Sequence, residues 1–170
     1  YNLALMLEGG VGVDADPARA AFWYRQAADQ GHVKAQNNLG VLYDKGLGVP
    51  QDRNEAAKWY RKAAEKGFIR AQFNLGVMYD LGAGVAEDNR EAAKWYRKAA
   101  EQGDQEAQFN LALMLETGEP GVAADAAEAA SWYRRAAEQG SDAAANNLGA
   151  LFDSGGPGMA ADPASAAVWY

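Results

Sequence analysis

The chain has no cysteine and a single histidine, His32. Disulfide bridges are excluded, as are metal sites that need thiolates or paired imidazoles. Hydrolytic triads are constrained by the same scarcity. The four serines, Ser131, Ser141, Ser154 and Ser165, include none in a Gly-x-Ser-x-Gly turn and none followed three places on by lysine. Positive charge is also short, with 16 Lys and Arg against 23 Asp and Glu, a formal net charge of -7. Binding to a nucleic acid scales with the cations a protein brings to the phosphates, so this balance argues against nucleic acid, and against charge-driven docking on an anionic membrane. No stretch approaches the roughly 18 to 20 apolar residues of a membrane helix, so no membrane insertion is expected. No signal peptide is visible. Neither metals nor cofactors are expected, and no catalytic residues are identified.

What the chain has instead is repetition. Trp-Tyr pairs fall at Trp23-Tyr24, Trp59-Tyr60, Trp95-Tyr96, Trp132-Tyr133 and Trp169-Tyr170, spaced 36, 36, 37 and 37 residues apart. Asp16, Asp52, Asp88, Asp125 and Asp162 follow the same spacing, and Gly31, Gly67, Gly103 and Gly140 form a third series. A shared period in the range of about 20 to 50 residues signals a solenoid or array. Within the unit 71–106, Ala71, Leu75, Met78 and Tyr79 lie on one face of a first helix. Gly82 and Gly84 suit a turn with positive φ. Asp88 is placed to cap a second helix, with Glu91 three residues on completing a capping box, as Asp52/Glu55 and Asp125/Glu128 would. Ala92, Trp95, Tyr96, Ala99 and Ala100 form the buried stripe of that helix. One hairpin cannot cover its own apolar face, so neighbouring units must stack. The Gly-x-Gly pairs lack the third glycine of a dinucleotide-binding turn and read as linkers.

The pattern A-x-x-x-L-G-x-x-Y, then G-x-G-V, D, A-x-x-W-Y-x-x-A-A and a closing G resembles the Sel-1-like repeat, a relative of the tetratricopeptide repeat. In the unit 71–106 the pattern is filled without exception, from Ala71, Leu75, Gly76 and Tyr79 through Asp88, Trp95 and Tyr96 to Gly103. The expected fold class is all-α, a right-handed α/α superhelix (solenoid) of helix-turn-helix repeats. Residues 1–170 are expected to form one such solenoid, with partial repeats at 1–34 and 144–170 and full repeats at 35–70, 71–106 and 107–143. The register starts inside a first helix and stops inside a second, without capping repeats, so a fragment of a longer protein is expected. Ala4 and Ala112 stand in place of the helix glycine, and Leu7, Leu115 and Phe152 in place of the tyrosine.

The resemblance implies that first helices line a concave surface. A second face on these helices supplies the candidate partner-binding residues: Asn38, Val41 and Asp44; Phe73, Asn74, Val77 and Asp80; Phe109, Asn110, Leu113 and Glu116. The recurring acid reads either as a solvated or paired side chain or as a ladder for basic partner side chains. The Phe73 and Phe109 pair reads as helix packing or as a groove anchor. The asparagines would hold a peptide backbone or bond between repeats. On the second helices Arg25, Arg61, Arg97 and Arg134, with Lys62, Lys98 and Arg135, read as a solvated ridge moderated by Glu65 and Glu101.

The expected function is that of a protein-binding scaffold or adaptor taking a partner segment along the concave face, in a bacterial signalling, secretion or cell-envelope system. The partner would be another protein or a peptide segment, and the acids would suit a basic one. Self-association or end-to-end stacking is the alternative, and an enzyme is disfavoured. Periplasmic, secreted and cytoplasmic settings are all compatible, and the oligomeric state is open.

Overall fold

A computed structural model describes residues 1–169. Tyr170, which completes the fifth Trp-Tyr pair, lies outside the described residues. Among the described residues the regular structure is helical throughout. The helices are α1 (Asn2–Gly9), α2 (Pro17–Asp29), α3 (Val33–Lys45), α4 (Arg53–Glu65), α5 (Ile69–Asp80), α6 (Asn89–Glu101), α7 (Gln105–Thr117), α8 (Ala126–Glu138), α9 (Asp142–Ser154) and α10 (Pro163–Ala166). Odd-numbered helices open each repeat and even-numbered ones close it, the all-α hairpin-repeat class that the sequence predicts.

The helix boundaries follow from local chemistry. Asp16, Asp52, Asp88, Asp125 and Asp162 each accept from a free N–H in the first turn of an even helix. Such a cap stabilises a helix by about 1 kcal/mol. The reciprocal half of the capping box is not made. Glu55 and Glu128 turn forward instead and accept from the indole N–H of Trp59 and Trp132, both at 3.1 Å. At the other end, Gly103 takes φ +96 and its N–H reaches the Ala100 carbonyl, while Asp104 N–H reaches Ala99. This left-handed residue, one step past the C-cap Gln102, stops the helix and bonds its last carbonyls.

The chain divides into two compact units, Tyr1–Glu87 and Asp88–Tyr170. In each, every helix packs on the next along the chain. The core of the first unit gathers Ala4, Leu7, Ala20, Tyr24, Ala28, Ala35, Leu39, Leu42 and Trp59. In the second unit Tyr96, Leu111, Tyr133 and Leu148 are fully buried, surrounded by Ala92, Ala99, Ala107, Ala129, Ala136 and Ala144. Rows of buried alanine bring helix axes close, and the aromatic residues contribute most of the buried area. Trp23 departs from this pattern, being 38% exposed where Trp59, Trp95 and Trp132 are buried.

The linkers pack back on the preceding repeat. Gly48 has φ +70, and a Cβ there would lie 2.2 Å from the Pro17 carbonyl carbon. The backbone of the linker therefore rests on the start of α2. In the repeats spaced by 37, the extra residue makes a tight Pro120-Gly121 turn with Gly121 at φ +84, closed by hydrogen bonds between Glu119 and Val122. Proline followed by a positive-φ glycine is the signature of a type II turn.

A candidate partner-binding face

The predicted face comes from residues three and four apart on the odd helices. In the first unit Asn38, Val41 and Asp44 on α3 and Phe73, Asn74, Val77 and Asp80 on α5 are all half-buried. In the second, Phe109, Asn110 and Glu116 on α7 are half-buried and Leu113 is 42% exposed. Four of these residues meet: Asp44, Phe73, Asn74 and Val77 line one depression of about 330 Å³, with Tyr60 and Arg53 also on its wall. Arg70 lies over the Phe73 ring at 5.6 Å, and Phe109 packs against the Tyr133 ring with centroids 5.7 Å apart.

In two repeats the acid and the asparagine prove to be parts of one hydrogen-bonding motif. In the second unit the Tyr133 hydroxyl on α8 donates to Glu116 on α7 at 2.6 Å and accepts from Asn147 on α9 at 3.2 Å. In the first, the Tyr24 hydroxyl donates to Glu8 and accepts from Asn38 at 3.1 Å. Acid, tyrosine and asparagine thus link three successive helices through a single oxygen. Burial, followed by the hydrogen bond to the acid, pushes both phenols above their ordinary range.

Tyr60 breaks the pattern. It is 3% exposed, yet among the described residues its hydroxyl has no hydrogen-bond partner. Asp44 instead pairs with Arg53 at 3.3 Å, and Asn74 donates to Asn37 at 3.3 Å. Burial and then the nearby Asp44 charge push the Tyr60 phenol up. The local sequence differs as well. Repeats with a closed motif carry Ala4, Leu7 and Glu8, or Ala112, Leu115 and Glu116. The repeat around Tyr60 carries Gly40, Tyr43 and Asp44. A Cβ on Gly40 would sit 2.8 Å from the Tyr60 ring, so the ring occupies the space that a methyl fills elsewhere. Aspartate is also one methylene shorter than glutamate and carries its charge less far.

The basic ridge is solvated at Lys62, Lys98, Arg134 and Arg135, as the sequence suggests, but not throughout. Arg25 donates to the Tyr43 hydroxyl and Arg61 to the Tyr79 hydroxyl, each reaching from an even helix to the next odd one. Leucine stands at position 115, so Arg97 has no hydroxyl there and pairs with Glu128 at 2.8 Å. Arg134 alone of the four is exposed. The ion pairs within helices run from Glu55 to Lys58 and from Glu91 to Lys94, whereas Glu65 and Glu101 have no ion pair among the described residues. The correction has a simple cause: a three-carbon stem with a planar fork can cross to a neighbouring helix as readily as it can point to water.

One set of residues escaped the sequence reading. Gln36, Gln72 and Gln108 are 4% exposed and donate to Ala28, Ala64 and Ala100 at 3.0 to 3.1 Å. Each amide adds a second hydrogen bond to a carbonyl at the end of the preceding even helix, which also accepts the N–H of Gly31, Gly67 or Gly103. The signal was present, as the same residue type follows the buried alanine in three repeats. His32 likewise has a structural role, its Nδ1 accepting from Ala35 N–H at the start of α3. Among the described residues no group of three potential metal ligands comes together, and no helix is long and apolar enough to cross a membrane.

A family model described as Sel1 repeat matches residues 1–32, 33–68, 69–104, 105–141 and 142–170. No curated protein matches the sequence. Among solved structures, the protective antigen c5321 of uropathogenic Escherichia coli, described as displaying an SLR fold, is 38% identical with a TM-score of 0.93. The likeness covers 99% of this chain and 36% of that one, so the chain spans about a third of that antigen's length. A Sel1 repeat protein from Oxalobacter formigenes is 37% identical with a TM-score of 0.91, covering 99% of this chain and 69% of that one. The Helicobacter pylori cysteine rich protein B is 24% identical over 79% of this chain and 96% of its own, with a TM-score of 0.61, a likeness of fold.

Proposed function

This chain belongs to the Sel1 repeat family, whose members generally mediate protein–protein interaction and are typically not catalytic, and on that premise we propose that it is a scaffold that seats a partner segment on the face of its odd helices. The setting we favour is a bacterial signalling, secretion or cell-envelope system. The observation that carries the reading is the half-buried row of Val41, Phe73 and Val77 in the first unit, together with Phe109 and the 42% exposed Leu113 in the second. Apolar side chains left partly open beside fixed polar groups are what an extended segment uses for anchoring and for register.

Affinity capture from the source organism tests it, comparing the wild-type chain with a Val77→Glu/Leu113→Glu variant. Neither position is fully buried, so the variant should keep its helical circular dichroism. The scaffold reading expects a partner recovered by the wild type to be lost from the variant. Equal recovery by both folded proteins would move the binding surface elsewhere.

A further inference from the structure

The depression beside Tyr60 is where the acid–tyrosine–asparagine motif stays open, and its chemistry narrows the kind of side chain it accepts. Three residues that carry acceptor oxygens line it: Asp44, Tyr60 and Asn74. Among the described residues, Arg53 is the side-chain donor that serves Asp44, and its side chain is 57% exposed. The Asn74 amide nitrogen is already committed to Asn37. In the repeats of Tyr24 and Tyr133 the same three positions close on one another and leave no such demand. The Tyr60 hydroxyl has no hydrogen-bond partner among the described residues, so a donor brought to this depression would find an acceptor ready for it. Phe73 and Val77 supply an apolar wall for a side-chain stem.

We propose that this depression receives an arginine side chain of the bound protein, its stem against Phe73 and Val77 and its guanidinium bridging Asp44, Tyr60 and Asn74 in place of Arg53. Arginine matches because it offers five donors on a planar fork and no acceptor. The net charge of -7 further favours a cationic group over an anionic one. Arg53 then acts as an internal stand-in that holds Asp44 until the partner's guanidinium displaces it. The inference rests on the scaffold reading for the origin of the arginine, but the pocket's selectivity is measurable without any partner.

The test is an NMR titration of the whole chain with N-acetyl-arginine-methylamide, using N-acetyl-norleucine-methylamide as a probe with an apolar stem and no cation. Saturable shifts of the Asn74 side-chain amide and the Val77 methyls with the arginine probe, and none with the norleucine probe, are expected. Asp44→Asn should weaken the arginine probe about fivefold, and Arg53→Gln should strengthen it by a smaller factor. Tyr60→Phe, which alters no hydrogen bond of the free protein, should weaken it about threefold. No saturable shift, equal shifts with both probes, or indifference to both Asp44→Asn and Tyr60→Phe would overturn the assignment. Affinity capture is scored separately. A partner lost on Val77→Glu/Leu113→Glu with no arginine response sinks the pocket and leaves the scaffold, whereas an arginine response with no such partner sinks the scaffold alone.

Discussion

The Tyr133 hydroxyl and the Glu116 carboxylate lie 2.6 Å apart, and Asn147 donates to the same hydroxyl oxygen. Tyr60 occupies the equivalent place one period away from Tyr24 with no such bond. Truncating the two hydroxyls should therefore differ in effect. Tyr133→Phe leaves Glu116 and Asn147 without their shared partner and should lower unfolding stability by about 1–3 kcal/mol, while Tyr60→Phe should change it by about 0.5 kcal/mol or less. Urea denaturation of the two variants checks this, and equal losses would contradict the structural distinction.

Alkaline pH should weaken the fold through its buried phenols. The Tyr24, Tyr60 and Tyr133 phenols are all held above their ordinary range by burial, with Glu8, Asp44 and Glu116 adding to it. Above about pH 10 the unfolded chain loses protons that the folded chain keeps, so the unfolded state is favoured as pH rises. The stabilisation is complete below that value and declines above it, by up to about 1.4 kcal/mol per pH unit for each tyrosine. Urea midpoints followed from about pH 9 to about pH 11 should fall, and Tyr133→Phe should flatten the slope by about one proton. A midpoint independent of pH in that window would rule the linkage out.

Linker glycines should divide by what their backbone touches. Gly48 and Gly67 both have positive φ, but a Cβ on Gly48 would strike the Pro17 backbone and one on Gly67 would meet nothing within 4 Å. Gly67→Ala should cost about 1–2 kcal/mol for its left-handed backbone. Gly48→Ala should cost clearly more, because the linker must lift off α2. Thermal melts of the pair decide the matter, and equal Tm losses would mean that the contact is dispensable.

The Arg97–Glu128 bridge should be weak and sensitive to salt. Its side chains are 41% and 36% exposed, so a double-mutant cycle with Arg97→Gln and Glu128→Gln should return a coupling of about 0.2–1 kcal/mol. That coupling should shrink as ionic strength rises. Glu128→Gln also alters the acceptor of the Trp132 indole, and the cycle separates that effect from the pair itself.

Much of the fold was legible because its determinants are local. An aspartate that caps, a glycine that ends a helix and a Trp-Tyr pair on the buried stripe act within a few residues of where they stand, so the period exposed them. The missed contacts are those in which one side chain has more than one place to bond. Arg25 meets Tyr43 eighteen residues on, and nothing in a helical wheel of α2 announces a hydroxyl on α3. Glu55 and Glu128 stand where a capping box wants them, yet the indole one turn later competes for the carboxylate and takes it. Gln36, Gln72 and Gln108 were passed over because a polar side chain next to a buried alanine reads as surface. The carbonyls they reach become visible only once the even helix has ended against them. For the candidate face, spacing was enough to place Val41, Phe73 and Val77 on one side of their helices. It could not separate Asp44, paired with Arg53, from Glu116, bonded to a tyrosine, since both partners lie on the next helix along the chain.

The rows of buried alanine make the effects of mutation lopsided. A core of leucine and phenylalanine fails mainly by truncation, leaving holes. Here Ala4, Ala35, Ala56, Ala71, Ala92, Ala107 and Ala129 are completely covered, and only glycine is smaller. A single base change in an alanine codon yields valine, threonine, serine, proline, glycine, aspartate or glutamate. Each either crowds the neighbouring helix, buries a polar group or weakens the helix itself. Lineages carrying such repeats would drift freely on their outer surfaces and in their linkers while these sites stay nearly still. The regularity of the period would then be renewed in every generation by the narrowness of the space between helices, without any selection on what the protein holds.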